Sequence, residues 1–159
     1  MRVLHLLHHS LPQVSGYAVR SHQVLAGQAR LGLWPLAVTS PRHAAPEASV
    51  EWIEGLCILR TPPSGEGGAS VGRELRLTLR HAVRAWEAAR AFRPHIVHAH
   101  SPATCALAGR IVARQCGLPF VYEVRDLWEY AAVLQGKFAH GSTRFRLARA
   151  VETWLLRTA

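Results

Sequence analysis

Three short stretches of this chain bring together residue types that can do chemistry. In the first, His98 and His100 stand two apart at the end of an apolar run. On a strand that spacing points both imidazoles to one face. With Cys105 close behind, the pair suggests a metal site. That reading is set aside and no metal is expected, because no fourth ligand has suitable spacing and strand-end histidines commonly act as hydrogen-bonding groups. His98 is expected to be a satisfied buried imidazole. His100, nearer the rim, is the better functional candidate.

In the second stretch Glu123, Arg125, Asp126 and Glu129 crowd a strand end and the turn after it. A planar guanidinium at such a place suits a phosphate or carboxylate. A structural ion pair of Arg125 with Glu123 or Asp126 is the alternative. In the third, Ser15-Gly16-Tyr17 reads as a tight turn into a helix, with His9 in the loop before it. Free backbone N–H groups at a helix start favour an anion. The alternative is that Gly16 merely lets the chain turn.

Several chemistries lack their motif. Neither GxGxxG nor GxxxxGK[ST] follows the first apolar run, so neither phosphate-binding fingerprint is present. No HExxH or paired CxxC occurs. The basic helices lack interleaved aromatics and no nucleic-acid-binding motif is found, so no nucleic acid is expected as partner.

The elements that must position these residues alternate in type. Val3 to Leu7 reads as a buried strand and Tyr17 to Leu31 as a helix with Ala18, His22, Leu25 and Ala29 on one face. Leu36 to Thr39 reads as a second strand. Val50 to Ile53 and Leu56 to Arg60 either pair around Glu54-Gly55 or form a strand and its approach. Pro62 to Gly72 has no apolar periodicity and is expected to be mobile. Arg73 to Phe92 reads as a helix with Leu75, Leu79, Ala82, Trp86 and Ala89 apolar and Arg73, Arg76, Arg80 and Arg84 basic. His95 to Ala99 reads as a strand, followed by Ser101 as an N-cap, Pro102 at the first helical position, and a helix ending at Gly117. Phe120 to Val124 is a further strand. Thr143 to Arg157 reads as a helix with Leu147, Val151 and Trp154 on one side. This order implies an α/β fold: a Rossmann-like parallel sheet with helices on both faces. Ligands of such sheets bind beyond the carboxyl ends of the strands, at the topological switch point. His9, Gly16, His100 and Arg125 are expected to open onto one crevice there.

Composition agrees with a single folded domain. The 159 residues are 49% hydrophobic and 18% charged, unlike a disordered chain. Nineteen Lys and Arg face ten Asp and Glu, a net charge of +9, which favours an anionic partner such as a phosphorylated ligand or acidic membrane. Cys57, Cys105 and Cys116 cannot all pair, which argues for a reducing compartment. The start MRVLHLLHHS is broken by histidines and is not a signal peptide, and no run is long enough to span a bilayer. A cytoplasmic location is expected. The ending of the chain at a helix end suggests a domain of a longer protein.

The opening MRVLHLLHHSLPQVSGYAVRSHQVLAGQARLG, the strand RPHIVHAHSP and the strand GLPFVYEVRDLWE together resemble the amino-terminal half of family-four retaining glycosyltransferases of the GT-B fold. The variants VYEVRDLWE and AVETWLLRTA most resemble bacterial enzymes that build exopolysaccharide or lipid-linked saccharides, in particular those associated with exosortase systems.

The resemblance implies a two-domain transferase. Residues 1–159 would be its acceptor-side domain, and a second domain, not in this chain, would bind the nucleotide sugar. It implies retention of configuration and no cofactor beyond that donor. By position, Ser15, Gly16 and Tyr17 match the glycine-rich loop after the first strand, with Tyr17 where the family often has a second glycine. His98 and His100 match an HxH strand end, and Arg125, followed by Asp126, stands where many members carry a histidine near the reacting centre. The resemblance also implies that Arg73, Arg76, Arg80 and Arg84 could meet an anionic membrane surface carrying the acceptor, at the inner face of the membrane. Two other readings remain: a basic membrane- or nucleic-acid-binding module on the same scaffold, and a small nucleotide-binding regulator.

Overall fold

The computed structural model describes residues 1–44, 46–64, 70–136 and 139–159. The expected mobility of Pro62 to Gly72 centres on residues 65–69 and so lies outside the described residues. In chain order the elements are β1 (Arg2–Leu7), α1 (Gly16–Arg30), β2 (Trp34–Thr39), β3 (Val50–Ile53), β4 (Leu56–Arg60), α2 (Val71–Phe92), β5 (Ile96–His100), α3 (Ala103–Cys116), β6 (Phe120–Glu123), α4 (Trp128–Leu134) and α5 (Thr143–Thr158).

The six strands form one sheet in the order β3-β4-β2-β1-β5-β6. All pairs are parallel except β3 with β4. That edge is a hairpin, the first of the two arrangements the sequence allows. Its turn residues Glu54 and Gly55 have φ of 49° and 79°, the positive pair that a two-residue hairpin turn requires. Three helices start on a serine whose hydroxyl accepts a first-turn N–H: Ser15 from Ala18, Ser70 from Arg73 and Ser142 from Phe145. Gly117 ends α3 with φ of 64°.

Alternation along the strands separates two faces. On one, Leu4, Leu6, Leu36, Val38, Val97 and Ala99 join the alanines of α2 and α3 and Leu155 of α5 in the larger core. On the other, Leu7, Ala37, Leu56 and Ile58 pack with Leu25 of α1. Each fully buried leucine contributes roughly 1.5–3 kcal/mol. Gly109 lets α3 approach the sheet closely: a Cβ there would stand 3.0 Å from Ala99 Cβ and 3.1 Å from the Phe120 ring.

Several helix faces differ from expectation. The buried residues of α1 are Ala18, Ser21 and Leu25, while Ala29 is exposed. On α2 the buried stripe is Leu77, Thr78, His81, Ala82, Ala85, Ala88 and Ala89, and Leu75, Leu79 and Trp86 face outward. Close packing of α2 on α3 selects the small residues, so the larger apolar ones stay outside. On α5 the buried residues are Phe145, Glu152 and Leu155, and Leu147 and Trp154 are exposed. Ser101 does not cap α3. Pro102 occupies the N-cap position without a side-chain bond, because the Ser101 hydroxyl accepts from Arg125 N and faces the Glu123 carbonyl oxygen. Helix α4, only seven residues long, has no counterpart in the sequence reading.

Candidate functional site

The sheet order sets where a crevice can form. From β1 the chain crosses through α1 to β2 on one side, whereas β5, reached through α2, joins β1 on the other. The connections after β1 and β5 therefore diverge on opposite faces of the sheet, as at a topological switch point. The loop holding His8 to Ser15, the turn at Ser101-Pro102 and the segment from Val124 to Leu127 all leave the carboxyl ends of these strands and β6.

Beneath α1 the sheet carries a polar layer. His5 of β1 is register-paired with His98 of β5, and His100 is paired with Glu123 of β6. Their rings crowd together, with centroids 4.3 Å apart for His98 and His100 and 4.9 Å for His5 and His98. His5 Nε2 lies 2.8 Å from Gln28 Oε1 on α1, and His5 Nδ1 lies 2.9 Å from His100 Nε2. His100 Nδ1 is within reach of both Arg125 Nη2 at 2.5 Å and Glu123 Oε2 at 2.8 Å. Two proton arrangements follow. With its proton on Nε2, His100 accepts from Arg125 and donates to His5, which donates to Gln28. With its proton on Nδ1, it donates to Glu123 instead. Burial holds the pKa of all three imidazoles down, His98 to about 4. Hydrogen bonding from His100, with Arg125 adding to it, holds Glu123 well below the usual carboxylate range.

Exposure inverts the expectation for the histidine pair. His100 is fully buried, whereas the His98 side chain is 15% exposed and its Nε2 has no hydrogen-bond partner. The rim position belongs to His98 because β6 ends beside His100 and Arg125 folds over it.

Arg125 is almost buried and its donors are all engaged. Nε reaches Glu123 Oε1, Nη1 reaches the Tyr17 carbonyl oxygen and Ser21 Oγ, and Nη2 reaches His100 and Glu123 Oε2. The guanidinium lies 4.7 Å from the centre of the Tyr17 ring. Arg20 adds a second cation to Glu123 at 3.0 Å. The ion pair with Glu123 is thus formed, while Asp126 is exposed beside it.

The loop after β1 meets the same place. Ser15 Oγ accepts from Ala18 N and also lies 2.6 Å from His9 Nε2. The Tyr17 hydroxyl accepts from His8 N at 3.0 Å, and its ring packs 4.8 Å from that of His9. Gly16 is exposed, with open space where a Cβ would lie. The structure thus brings His9, Ser15, Tyr17, His100 and Arg125 to one end of the sheet.

Three contributors had little sequence signal. His5 is visible only as the residue opposite His98 once the register is known. Ser21 and Gln28 lie on the sheet-facing side of α1, where a polar residue at helical spacing was the available clue. Buried Arg60 holds the loop from behind through Ser10 Oγ and the Leu11 carbonyl oxygen, both at 2.6 Å, and pairs with Glu51. His8 Nδ1, Thr39 Oγ1 and His43 Nδ1 are buried near these strand ends without a hydrogen-bond partner. Among the described residues, His5, His98 and His100 are the group whose nitrogens could hold a metal ion.

This architecture is that of a Rossmann-like half of a GT-B glycosyltransferase. The chain belongs to the glycosyl transferase 4-like domain family, whose model matches residues 15–159. No curated protein matches it significantly in sequence. Among solved structures it is similar to sucrose-phosphate synthase from Thermosynechococcus elongatus, with a TM-score of 0.70 and 12% identity over 98% of this chain and 40% of that one. It is also similar to the glycosyltransferase SsfS6 of Streptomyces sp. SF2575, with a TM-score of 0.54 and 19% identity over 80% of this chain and 40% of the other. The calicheamicin glycosyltransferase CalG4 gives a TM-score of 0.52 and 16% identity over 98% and 41%. At these identities the likeness is one of fold. The chain spans about two fifths of the length of each of these structures.

Proposed function

We propose that this chain is the acceptor-side domain of an enzyme that transfers a sugar from a nucleotide-sugar donor to a saccharide or lipid-linked acceptor. The transfer retains anomeric configuration and serves exopolysaccharide or other cell-surface glycan synthesis. The nucleotide sugar is held mainly by a second domain outside this chain, and no cofactor is used. One observation supports the reading: in a chain of this family, the Arg125 guanidinium joins the segment after β6 to the start of α1 at the switch point, where a ligand of such a sheet binds. In this reading His9, Ser15, Gly16, Tyr17, His98 and Asp126 border the acceptor, around the buried His100 and the almost buried Arg125. The interior position of Arg125 makes it a positioning group that holds the wall together, through Tyr17 and Ser21, rather than a free phosphate clamp.

A membrane-facing role has its own support. Leu75, Leu79, Val83 and Trp86 recur on one exposed side of α2, with Arg76 and Arg80 next to them. Exposed apolar residues flanked by arginine suit an anionic interface. No helix among the described residues is long and apolar enough to cross a membrane. The location that fits is the cytoplasmic face of the membrane, beside a lipid-linked acceptor.

The test is to assay the full-length gene product for nucleoside diphosphate release from a panel of nucleotide sugars, with lipid-extracted acceptors. Transfer with retained configuration by the full protein, and no tight donor binding by residues 1–159 alone, is the expected result. Tight binding of a nucleotide sugar by the isolated chain would overturn the domain assignment.

A further inference from the structure

We propose that His5, His98 and His100 form a binding site for a divalent transition-metal ion of the zinc type. The inference does not rest on the transferase reading, since it concerns the ring nitrogens of the polar layer beneath α1, although His98 is shared with the proposed acceptor site. It departs from the sequence reading, which tested Cys105 as the third ligand. Cys105 is instead fully buried in the first turn of α3 and does not join the cluster.

The strands supply the platform. His5 and His98 are direct register partners on β1 and β5, and His100 follows two residues along on the same face. One nitrogen from each of the three rings lies within 4.8 Å of the others. Imidazole nitrogens of this kind suit zinc and its neighbours in the first transition row. Three protein nitrogens leave a fourth position for water.

The surroundings of the rings strengthen the case. Gln28 Oε1 is an acceptor, so His5 carries its proton on Nε2 and a lone pair on Nδ1. Glu123 is an ionised acceptor, paired with Arg20 and Arg125, and it lies 2.8 Å from His100 Nδ1. It favours the proton on that nitrogen and a lone pair on Nε2. His5 Nδ1 and His100 Nε2 then face each other, both with lone pairs, at 2.9 Å. Such a pair is relieved by a proton between the two nitrogens or by a metal cation. A tetrahedral ion at 2.0–2.1 Å from each nitrogen would hold them about 3.3 Å apart, so His5 and His100 need separate by only a few tenths of an ångström, while the His98 ring must move in from the wider 4.8 Å span of the cluster. His98 supplies the third nitrogen; its buried Nε2 makes no hydrogen bond and lies 3.5 Å from Glu123 Oε2. Gln28 and Glu123 then have the role that outer acceptors play behind metal-bound histidines.

Arg125 opposes this state and defines its alternative. When Nη2 donates to His100 Nδ1, the imidazoles form a continuous chain of hydrogen bonds to Gln28. Ion binding gives up that one bond and leaves Arg125 its contacts with Glu123, Tyr17 and Ser21. The edge at His98, the one ring of the three with a side chain partly exposed, is the route of entry.

The experiment uses the whole chain without a histidine tag. Cobalt(II) is titrated in and followed by its visible absorption, then displaced by zinc in a calorimeter. One equivalent is expected to bind, with the intense visible bands of a four-coordinate ion. His98→Asn should weaken binding at least tenfold, and Cys116→Ser should leave it unchanged. Nitrogen-15 spectra of the wild-type histidine rings provide a readout that needs no variant. Zinc should shift His5, His98 and His100 and leave His22 and His95 in place. Absence of binding by the wild type, equal binding by His98→Asn, or shifts confined to other histidines would each overturn the site.

Discussion

The Arg125 guanidinium donates to the Tyr17 carbonyl oxygen at 3.1 Å while lying over the Tyr17 ring, and so joins the segment after β6 to the first turn of α1. Lysine would keep the charge but not the planar set of donors. Bonds from a charged donor contribute about 1.5–3 kcal/mol each, and several are lost together. Arg125→Lys is expected to lower stability by roughly 2–4 kcal/mol in urea unfolding. A change below about 0.5 kcal/mol, the usual range for a surface substitution, would show that Arg125 does not hold these elements together.

Acid should destabilise the chain well before its carboxylates titrate. Burial holds His81 and His98 to about 4 and His8 to about 3. In the unfolded chain these groups titrate near 6.5, so between about pH 6.5 and 4 the unfolded state binds more protons. Stability therefore falls as pH falls, by up to about 1.4 kcal/mol per pH unit for each such group. Glu123, whose folded pKa is depressed, adds its own loss below about pH 4.3. Guanidinium midpoints should be level from pH 8 to 7 and then drop steeply. A flat profile from pH 7 to 5 would contradict the buried neutral state of these imidazoles.

Strand ends and loop residues were the most legible part of the site. Ser15 and Gly16 announce a helix start, and the charged run after Phe120 to Glu123 announces a strand end, so each could be placed by local rules. The partners of Arg125 could not. Ser21 and Gln28 become neighbours of the imidazoles only through the crossover of α1, and His5 only through the register of β1 with β5. The buried face of α2 differs from the expected one for a related reason. Hydrophobic size favours Leu75, Leu79 and Trp86, but the space between α2 and α3 admits mainly alanine.

Gly109 offers a test of that close packing. Alanine there places its methyl 3.0 Å from Ala99 Cβ and 3.1 Å from Phe120, tighter than ordinary contact. Gly109→Ala is expected to lose about 1–3 kcal/mol by overpacking, despite the better helix propensity of alanine. A gain in thermal midpoint would mean that α3 can retreat from the sheet freely.

Vesicle sedimentation addresses the membrane surface. Arg80 also contacts the Pro62 carbonyl oxygen and Arg84 contacts Glu87 and the Ser49 carbonyl oxygen, so the four arginines do not act as equals. Each basic residue near an anionic bilayer contributes about 1 kcal/mol, decaying with salt. The chain should bind anionic vesicles, lose binding in high salt, and bind less when Arg73, Arg76, Arg80 and Arg84 become glutamine. Equal recovery with neutral and anionic vesicles would remove the membrane claim.

The central position of β1 has a consequence for biosynthesis. Its partner β2 follows within one helix, but β5 begins 36 residues after β4 ends, at Ile96 after Arg60. At 5–20 residues per second, a ribosome needs about 2–7 s to cover that distance. During this interval a nascent chain that has already paired β1, β2 and β4 presents the far edge of β1 uncovered, with Leu4 and Leu6 awaiting the core made by α2, α3 and β5. Uncovered apolar edges of this kind are templates for self-association. A chaperone that shields the first 60 or so residues during translation should therefore raise the yield of folded protein more than one added after release.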